Sequence, residues 1–321
     1  MKIAIIGAGL AGLTLAKKLS TKFDVTLFEK ARGPGGRMST RRAAPYAFDH
    51  GAQYFTASDP RFEAFLTDLQ SEGLVALWPE QIDLHGGAQV SDKLKYVGAP
   101  AMNAICKHLA GGIALQTGVQ VTGLGAQPDG WHLEEAAGAR WGAFDWVIST
   151  APSVQTAALM PDQFAGQAAL ADVVMSGCFT LMLGFETAFD VPWQAMKSAA
   201  SPVGWMAVNS AKPGRPEAHT VVLQSSNTWA ETHLEAPTEQ VTQMLLVAGS
   251  ALAGRDLSAA SHQTLHRWRY AATPRPAGLP FLIDDAQRLA ACGDWCLGSK
   301  VEAAFLSACA LADRLLATAK T

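Results

Sequence analysis

Three glycines near the start of the chain constrain its fold more than any other feature. Gly7, Gly9 and Gly12 follow a short β-branched apolar run at residues 2–6 and precede a helix-like stretch at residues 11–19. In this spacing they permit a tight turn, a close backbone approach to a pyrophosphate, and close packing of helix on strand. The pattern predicts a β-turn-α-β unit whose helix N-terminus offers N–H groups to phosphates.

An acidic residue supports this interpretation. Glu29 follows the second predicted strand, at residues 24–28, and lies 22 residues after Gly7. A carboxylate there accepts hydrogen bonds from a ribose 2′-hydroxyl and would repel a 2′-phosphate, which favours FAD or NAD over NADP. The dinucleotide contacts predicted from this region are Gly7, Ala8, Gly9, Leu10, Ala11, Gly12, Glu29 and Lys30.

Two further motifs flank the chain. Residues 32–40 read Arg-Gly-Pro-Gly-Gly-Arg-Met-Ser-Thr, in which backbone N–H groups and an arginine can meet a phosphate. Near the other end, a Cys-Gly-Asp sequence at residues 292–294 precedes a predicted helix at residues 301–317. Both segments resemble those of the flavoprotein superfamily of amine-oxidase type. The resemblance implies FAD as cofactor, with further contacts from Gly36, Arg37, Met38, Val121, Asp294, Val301 and Glu302.

The middle of the chain has a different pattern. Alternating apolar and polar residues between 160 and 272 predict an antiparallel sheet. Earlier, the sequence predicts a strand at residues 119–124 and a two-stranded excursion at 131–135 and 140–141. We expect an α/β chain in which a Rossmann-like FAD-binding domain carries an inserted, mainly antiparallel β substrate domain plus helices. The predicted ranges are 1–58, 95–160 and 273–321 for the FAD-binding domain, and 59–94 and 161–272 for the substrate-binding domain.

Two segments point to the substrate. Residues 49–56 read Asp-His-Gly-Ala-Gln-Tyr-Phe-Thr, and residues 266–271 read His-Arg-Trp-Arg-Tyr-Ala. Together they resemble the renalase family, particularly its bacterial branch. The resemblance implies that the first segment lies beside the flavin ring, which adds Gly51, Ala52 and Gln53 as cofactor contacts. It also implies that the second segment lines the substrate cavity.

Strand alternation gives the second segment two faces. His266, Trp268 and Tyr270 fall on one face, and Arg267 and Arg269 on the other. An aromatic face suits a flat nicotinamide ring, although ordinary sheet core is an alternative for the aromatic side chains. The candidate catalytic residues, which would position the substrate, are Tyr54, Gln53, Trp268, Asn227 and His233.

The renalase resemblance implies an FAD-dependent oxidase. It would transfer hydride from isomeric dihydro-NAD(P), in the 2- or 6-dihydronicotinamide form, to flavin N5, and O2 would reoxidise the flavin to give NAD(P)+ and hydrogen peroxide. This chemistry needs no general base, because the ring nitrogen lone pair drives hydride loss. An amine or amino-acid oxidase is the alternative enzyme, although the stretch from Trp295 to Lys300 lacks the aromatic side chain expected just ahead of the last helix. A non-catalytic flavin-binding sensor is the second alternative.

Composition excludes several other classes. The net charge of −3 offers no field for a nucleic acid or an anionic membrane, yet residues 1–45 carry +7 and leave −10 for the remainder. The basic excess thus falls where the phosphates of FAD are expected. Five cysteines form no Cys-x-x-Cys pair and no metal spacing, which predicts a reduced, cytoplasmic protein with buried thiols and no metal site.

Overall fold

The computed structural model describes residues 1–78 and 81–318. Its strands are β1 (Lys2–Ile6), β2 (Asp24–Glu29), β3 (Thr40–Ala43), β4 (Tyr46–Asp49), β5 (Val75–Leu77), β6 (Ile82–His85), β7 (Tyr96–Gly98), β8 (Ala114–Thr117), β9 (Val121–Gln127), β10 (Gly130–Glu135), β11 (Arg140–Phe144), β12 (Trp146–Ser149), β13 (Val174–Phe185), β14 (Ala195–Ser198), β15 (Val203–Val208), β16 (His219–Ser225), β17 (His262–Arg275), β18 (Leu282–Asp284) and β19 (Leu289–Ala291). Its helices are α1 (Leu10–Leu19), α2 (Pro60–Ser71), α3 (Ala104–Ala110), α4 (Ser153–Leu159), α5 (Gln167–Asp172), α6 (Asn227–His233), α7 (Thr238–Ala253), α8 (Asp294–Leu297) and α9 (Val301–Thr318).

The first of two units comprises Met1–Gly36, Ile105–Met175 and Thr273–Thr321. Its main sheet has the order β18-β19-β12-β1-β2-β8. The five strands from β19 to β8 are parallel, and β18 pairs antiparallel with β19 at one edge. Strand β1 is apolar and buried from its second residue onward, as expected of a parallel strand covered on both faces. The predicted Rossmann-like α/β fold is confirmed.

A second, antiparallel sheet belongs to the same unit and differs from the expected excursion. Strand β9 begins at Val121 and pairs with β10, so that three strands form the order β11-β10-β9. The strand joins this sheet because its apolar side chains, Val121 and Leu124, pack with Leu133 of β10 and with Phe28. The predicted excursion therefore has three strands rather than two.

The other unit comprises Arg37–Ala104 and Ser176–Ala272. Its main sheet has the order β17-β13-β16-β15-β14-β6. Strand β13 pairs antiparallel with β16, β16 with β15, and β15 with β14, whereas β6 pairs parallel with β14. Helix α7 packs Val241 and Leu245 against the apolar side chains of this sheet, including Leu223. This unit has the mainly antiparallel architecture that the alternating sequence predicts.

The unit boundaries differ from the predicted domain boundaries. Residues 37–58 and 95–104 lie in the second unit, because Phe48 of β4 packs with Met182 and Val222 of the large sheet, and because β7 pairs with β5. Residues 161–175 lie in the first unit, where Phe164, Leu170 and Val173 join its core. Residues 79, 80 and 319–321 of the predicted ranges lie outside the described residues. Which domain binds the substrate stays a prediction.

No helix in the described part of the chain combines the length and apolar character needed to cross a membrane. The predicted cytoplasmic location stays a prediction.

Candidate functional site

The glycine turn of the first unit connects β1 to α1. Gly7 has a φ of +106°, which favours glycine, and its N–H donates to the carbonyl oxygen of Phe28 at 2.8 Å. A Cβ at Gly12 would lie 1.9 Å from the carbonyl oxygen of Gly7, so only glycine lets the helix pack this close to the turn. A Cβ at Gly9 would meet no atom within 4 Å. The backbone at Gly9 therefore borders open space at the N-terminus of α1, as a phosphate contact requires.

The second glycine segment lies against this turn. Gly36 has a φ of +53°, and a Cβ there would lie 3.3 Å from the Cα of Gly9. The N–H of Gly35 donates to the carbonyl oxygen of Ala8 at 2.9 Å. Two segments that the sequence predicts to bind the pyrophosphate are thus brought together by backbone contacts alone.

Glu29 ends β2 and is only 8% exposed. Its Oε2 accepts the N–H of Ala8 and its Oε1 accepts the N–H of Ala31, both at 2.8 Å. Each carboxylate oxygen can accept about two hydrogen bonds, so both can still accept one from a ribose hydroxyl. The site therefore fits the ribose of FAD. The next residue, Lys30, is exposed.

The carboxyl ends of the parallel strands hold the C-terminal motif. Strands β1, β2, β12 and β19 run parallel, so Gly7, Glu29 and the turn after β19 lie at one edge of the sheet. Open α/β sheets bind ligands at this edge. Asp294 begins the short α8 within that turn, and Glu302 lies in the first turn of α9, with both residues buried.

Val121 and Val301 are half-buried. Val121 lies two residues after Val119, whose N–H donates to the carbonyl oxygen of Glu29 at 3.0 Å. Val121 is thus near the end of β2, although it belongs to the smaller sheet. Val301 is the first residue of α9.

In the second unit, Arg37 and Gly51 are in direct backbone contact. The N–H of Ala52 donates to the carbonyl oxygen of Arg37 at 2.7 Å. A Cβ at Gly51 would lie 1.9 Å from that same oxygen, so a larger residue cannot take its place without a backbone shift. Arg37 also donates from Nη1 to the carbonyl oxygen of Ala271 at 3.3 Å, and Met38 is buried. The structure therefore gathers residues 37–38 and 51–52 near the end of β17.

The two segments that resemble the renalase family meet in this unit. Trp268 donates from Nε1 to the carbonyl oxygen of His50 at 2.8 Å, and the two rings are 5.1 Å apart. His266 packs edge-on to both, at 5.0 Å from His50 and 4.3 Å from Trp268. On the opposite face, Arg267 and Arg269 pair with Glu235. The predicted alternation of β17 is confirmed.

The two imidazoles of this cluster are uncharged at neutral pH. Burial lowers the pKa of His50 to about 4, with His266 and Arg41 adding to the shift and Asp49 opposing it. Burial and the charge of Arg41 likewise lower the pKa of His266 to about 4. The guanidinium Nη2 of Arg41 lies 3.4 Å from Nδ1 of His266. With Trp268, the imidazoles form an aromatic cluster whose three rings carry no charge, and the Arg41 guanidinium lies beside it.

A buried group of charged side chains, Asp49 with Arg215 and Lys212, adjoins this cluster and was not predicted from the sequence. The carboxylate of Asp49 is 1% exposed and lies 2.5 Å from Nη2 of Arg215 and 3.6 Å from Nζ of Lys212. Its other oxygen accepts hydrogen bonds from Oγ1 of Thr40 at 2.8 Å and from the N–H of Met102 at 3.1 Å. Burial raises the pKa of Asp49, but the two cations and these hydrogen bonds outweigh it and keep that pKa low. The only signal in the sequence is a pair of cations around a Pro-Gly turn at residues 212–215.

Gln53 makes three hydrogen bonds within the second unit. Its Nε2 donates to the carbonyl oxygens of Asp49 at 2.7 Å and Gly51 at 3.1 Å, and its Oε1 accepts from Nζ of Lys212 at 3.1 Å. Both amide hydrogens are used within the protein, so the side chain has no donor left for a substrate. Gln53 therefore braces the backbone of residues 49–53, and its predicted role toward the cofactor and the substrate stays a prediction.

The other three candidate residues, Tyr54, Asn227 and His233, make different contacts within the second unit. Tyr54 packs 5.3 Å from the ring of Trp205 and 6.5 Å from that of Trp78. Asn227 donates from Nδ2 to the carbonyl oxygen of Gly177, and His233 stacks on Trp229 at 4.0 Å. Asn227 and His233 belong to α6, whose Trp229 packs on the main core of the unit. A Cβ at Gly177 would lie 3.3 Å from the carbonyl oxygen of Trp268, so Asn227 lies near the backbone of β17, and the roles of both residues toward the substrate stay predictions.

The cysteines are all buried, as predicted. Burial raises the pKa of Cys106 to about 12 and that of Cys178 to about 11, and it raises the pKa values of Cys292 and Cys296 as well. These thiols are therefore protonated and unreactive at neutral pH. Among residues 1–78 and 81–318, no group of three His, Cys, Asp or Glu side chains could hold a metal ion.

Comparison with known proteins places the dinucleotide motif. Residues 5–69 match the model of an NAD(P)-binding Rossmann-like domain. A segment of 52 residues, 16% of this chain, is 44% identical to 4,4′-diapophytoene desaturase (4,4′-diaponeurosporene-forming) of Staphylococcus aureus. The match spans only 10% of the desaturase, so the similarity is confined to a small part of the curated relatives.

Solved structures resemble the whole chain. A protein described as a protoporphyrinogen oxidase, from Exiguobacterium sp. 255-15, superposes with a TM-score of 0.77 and covers 98% of both chains at 11% identity. Putrescine oxidase with putrescine bound superposes with a TM-score of 0.72 over 99% of both chains at 12% identity. At such identities the likeness shows the fold.

These findings agree with the predicted fold and cofactor. The chain has the fold of these two oxidase structures, and residues 5–69 match a dinucleotide-binding domain in which Glu29 keeps acceptor capacity for a ribose, so the site fits FAD as the predicted cofactor.

Proposed function

We propose that the protein is an FAD-dependent oxidase for isomeric dihydro-NAD(P), reduced at the 2- or 6-position of the nicotinamide ring. One observation carries the proposal: the hydrogen bond from Trp268 to His50 joins the two segments that resemble the renalase family into one aromatic surface. The substrate is a dihydronicotinamide dinucleotide, and O2 is the final acceptor.

When bound, FAD would supply two-electron redox chemistry between the dihydronicotinamide ring and O2. In the first unit, the N-terminus of α1 and the bare backbone at Gly9 would hold the pyrophosphate, and Glu29 would hold the ribose. In the second unit, the resemblance expects the flavin ring beside Gly51 and Ala52, whose backbone is held by contacts with Arg37.

The proposed substrate surface matches the needs of hydride donation. A dihydropyridine loses hydride without a base, since its ring nitrogen lone pair compensates the departing electrons and the product is aromatic. Trp268 offers a flat ring, and the imidazoles of His50 and His266 are neutral at pH 7. The surface can therefore position an uncharged ring, and the rate gain would come from orientation at about 3–3.5 Å from the acceptor.

Rapid anaerobic mixing tests the proposal. The yellow holoprotein is mixed with NADH isomers made by borohydride reduction of NAD+, with ordinary NADH, and with putrescine as an amine. We expect the isomers, and not putrescine, to bleach the flavin absorbance near 450 nm, a wavelength typical of oxidised flavins. Bleaching by putrescine alone would overturn the proposal.

An amine oxidase is the second candidate, because putrescine oxidase shares the fold over 99% of both chains. The same experiment separates the two activities. If neither the isomers nor putrescine bleach the flavin, that result favours a flavin-binding sensor without turnover.

A further inference from the structure

The second unit contains a lysine whose side chain is completely buried. Lys212 follows a 3₁₀ turn at Asn209–Ala211, and its side chain is 0% exposed. Its Nζ lies 3.1 Å from Oε1 of Gln53, 3.6 Å from Oδ2 of Asp49 and 5.4 Å from the ring centroid of Trp78. Burying an ammonium group costs several kcal/mol unless charged and polar partners compensate it. An arrangement this costly implies a role for the charge of Lys212.

Lys212 does not serve mainly to neutralise Asp49. Arg215 already does so, with Nε at 3.1 Å and Nη2 at 2.5 Å from the same oxygen of Asp49. Arg215 also donates from Nη1 to the carbonyl oxygens of Gly98 and Pro213. The contact that distinguishes Lys212 is its hydrogen bond to Gln53.

That hydrogen bond fixes which way the Gln53 amide points. An ammonium group only donates, so it accepts the carbonyl end of the amide as partner and excludes the NH2 end. The NH2 end is thereby directed to the carbonyl oxygens of Asp49 and Gly51. Gln224 donates a further hydrogen bond to the Gly51 oxygen at 2.6 Å, so the turn is held from two sides. A reversed amide would set its NH2 against the ammonium, two donors, and its oxygen against two carbonyl oxygens, all acceptors.

We propose that Lys212 is a positioning residue that acts through Gln53 to hold the backbone of residues 51–54 in place for the flavin ring. The inference rests on the proposed function, because that function places the flavin ring beside this segment. Lys212 touches neither the substrate nor the reacting atoms in this account. It sets the geometry of the segment that does.

Its charge gives the role a pH signature. Burial lowers the pKa of Lys212 to about 8; Asp49 opposes this shift and Arg215 adds to it. The titratable and charged groups facing Nζ are Asp49 and Arg215, with the amide of Gln53 and the ring of Trp78 completing its surroundings. Above that pH a neutral amine donates a weaker hydrogen bond to Gln53 and can accept one, so the amide is no longer held in one orientation.

The test compares Lys212→Met, Lys212→Arg and Gln53→Leu holoproteins with wild type, and with Lys197→Met as the matched control. Lys197 lies in the same unit and donates to the carbonyl oxygen of Gln89, away from these groups. Flavin reduction by the NADH isomers is measured from pH 6 to 10, together with the visible flavin spectrum and the rate of FAD release on dilution.

We expect Lys212→Met to slow flavin reduction by about ten- to a hundredfold, to shift the flavin spectrum and to speed FAD release. Wild type should lose rate above about pH 8, whereas Lys212→Arg, which stays charged, should restore most of the rate and remove the alkaline decline. Lys197→Met should match wild type. Because Lys212 acts through Gln53, the double variant Lys212→Met/Gln53→Leu should be no slower than the slower single variant.

Several outcomes overturn the inference. They are a Lys212→Met protein with wild-type reduction rate and spectrum, additive losses in the double variant, or an alkaline decline that persists in Lys212→Arg. If Lys212→Met does not fold, Lys212→Arg and Gln53→Leu decide by the same criteria. If the isomers fail to reduce even wild type, the proposed function fails, while the flavin spectrum and FAD release still show whether Lys212 and Gln53 act as a unit.

Discussion

The buried carboxylate of Asp49 offers the sharpest test of how the second unit is held together. In Asp49→Asn the side chain keeps its size and loses its charge. One oxygen can still accept from Thr40 and Met102, but the amide NH2 then faces Arg215 and Lys212 at the positions where Oδ2 lies 2.5 Å and 3.6 Å away. Two buried cations would be left facing a hydrogen-bond donor.

The expected loss follows from the burial of the partners. Arg215 is 2% exposed and Lys212 is 0% exposed, so neither can regain water without opening the structure. Removing one partner of a buried ion pair costs about 3–5 kcal/mol. Lys212 can release its proton at the cost of a modest pKa shift, whereas Arg215 cannot, so most of the loss comes from the guanidinium.

Equilibrium urea unfolding of the holoprotein, followed by tryptophan fluorescence, measures this loss. Glu235→Gln is the control, because Glu235 also faces two arginines but is 72% exposed. We expect the control to leave the unfolding free energy unchanged. A loss below about 1 kcal/mol in Asp49→Asn, which is typical of an exposed pair, would refute the reasoning.

Four other predictions concern pH, the cofactor and the substrate surface. Since the folded pKa values of His50 and His266 lie near 4, below the value of about 6.5 for unfolded histidine, the unfolded chain takes up protons first. The unfolding free energy should thus be constant between about pH 6.5 and 7.5 and fall by about 1.4 kcal/mol per pH unit per histidine down to about pH 4, with a smaller share from half-buried His266; a flat profile between about pH 7 and 5 contradicts this. Glu29→Ala should lose FAD during gel filtration, and full retention would count against its ribose contact. Gly9→Ala should keep the wild-type unfolding free energy and release FAD faster. Gly12→Ala, whose Cβ would meet the Gly7 oxygen at 1.9 Å, should lower the unfolding free energy itself. The opposite pattern would contradict a contact between Gly9 and the pyrophosphate. Trp268→Phe, which keeps a ring but loses the N–H donated to His50, should slow flavin reduction by about tenfold with FAD still bound, and unchanged kinetics would return Trp268 to a purely structural role.

The local parts of the fold could be predicted from the sequence. Strand β1, the glycine turn and α1 are contiguous, and their glycines have steric reasons that hold in any context: Gly7 adopts a positive φ and Gly12 touches the turn. The faces of β17 were equally legible, because alternation along a strand does not depend on distant residues.

Interactions between segments that are distant in the sequence could not be predicted from it. Arg215 is 166 residues from Asp49 and Lys212 is 159 residues from Gln53, so only the folded sheet brings them into contact. A glutamine in a predicted cofactor segment suggests a ligand contact, and nothing in the sequence shows that both of its amide hydrogens are donated to Asp49 and Gly51 or that its oxygen accepts from Lys212. Similarly, nothing in the sequence shows that Asn227 donates to the carbonyl oxygen of Gly177 or that His233 stacks on Trp229.

Hydride transfer from an isomeric dihydronicotinamide to the flavin of this protein is tested most directly by anaerobic stopped-flow mixing. The holoprotein is mixed with NADH isomers prepared by reducing NAD+ with borohydride and, in parallel, with borodeuteride. The account predicts that both bleach the flavin, that the deuterated isomers do so more slowly, and that NAD+ is the product. A flavin that stays oxidised with either preparation would contradict it.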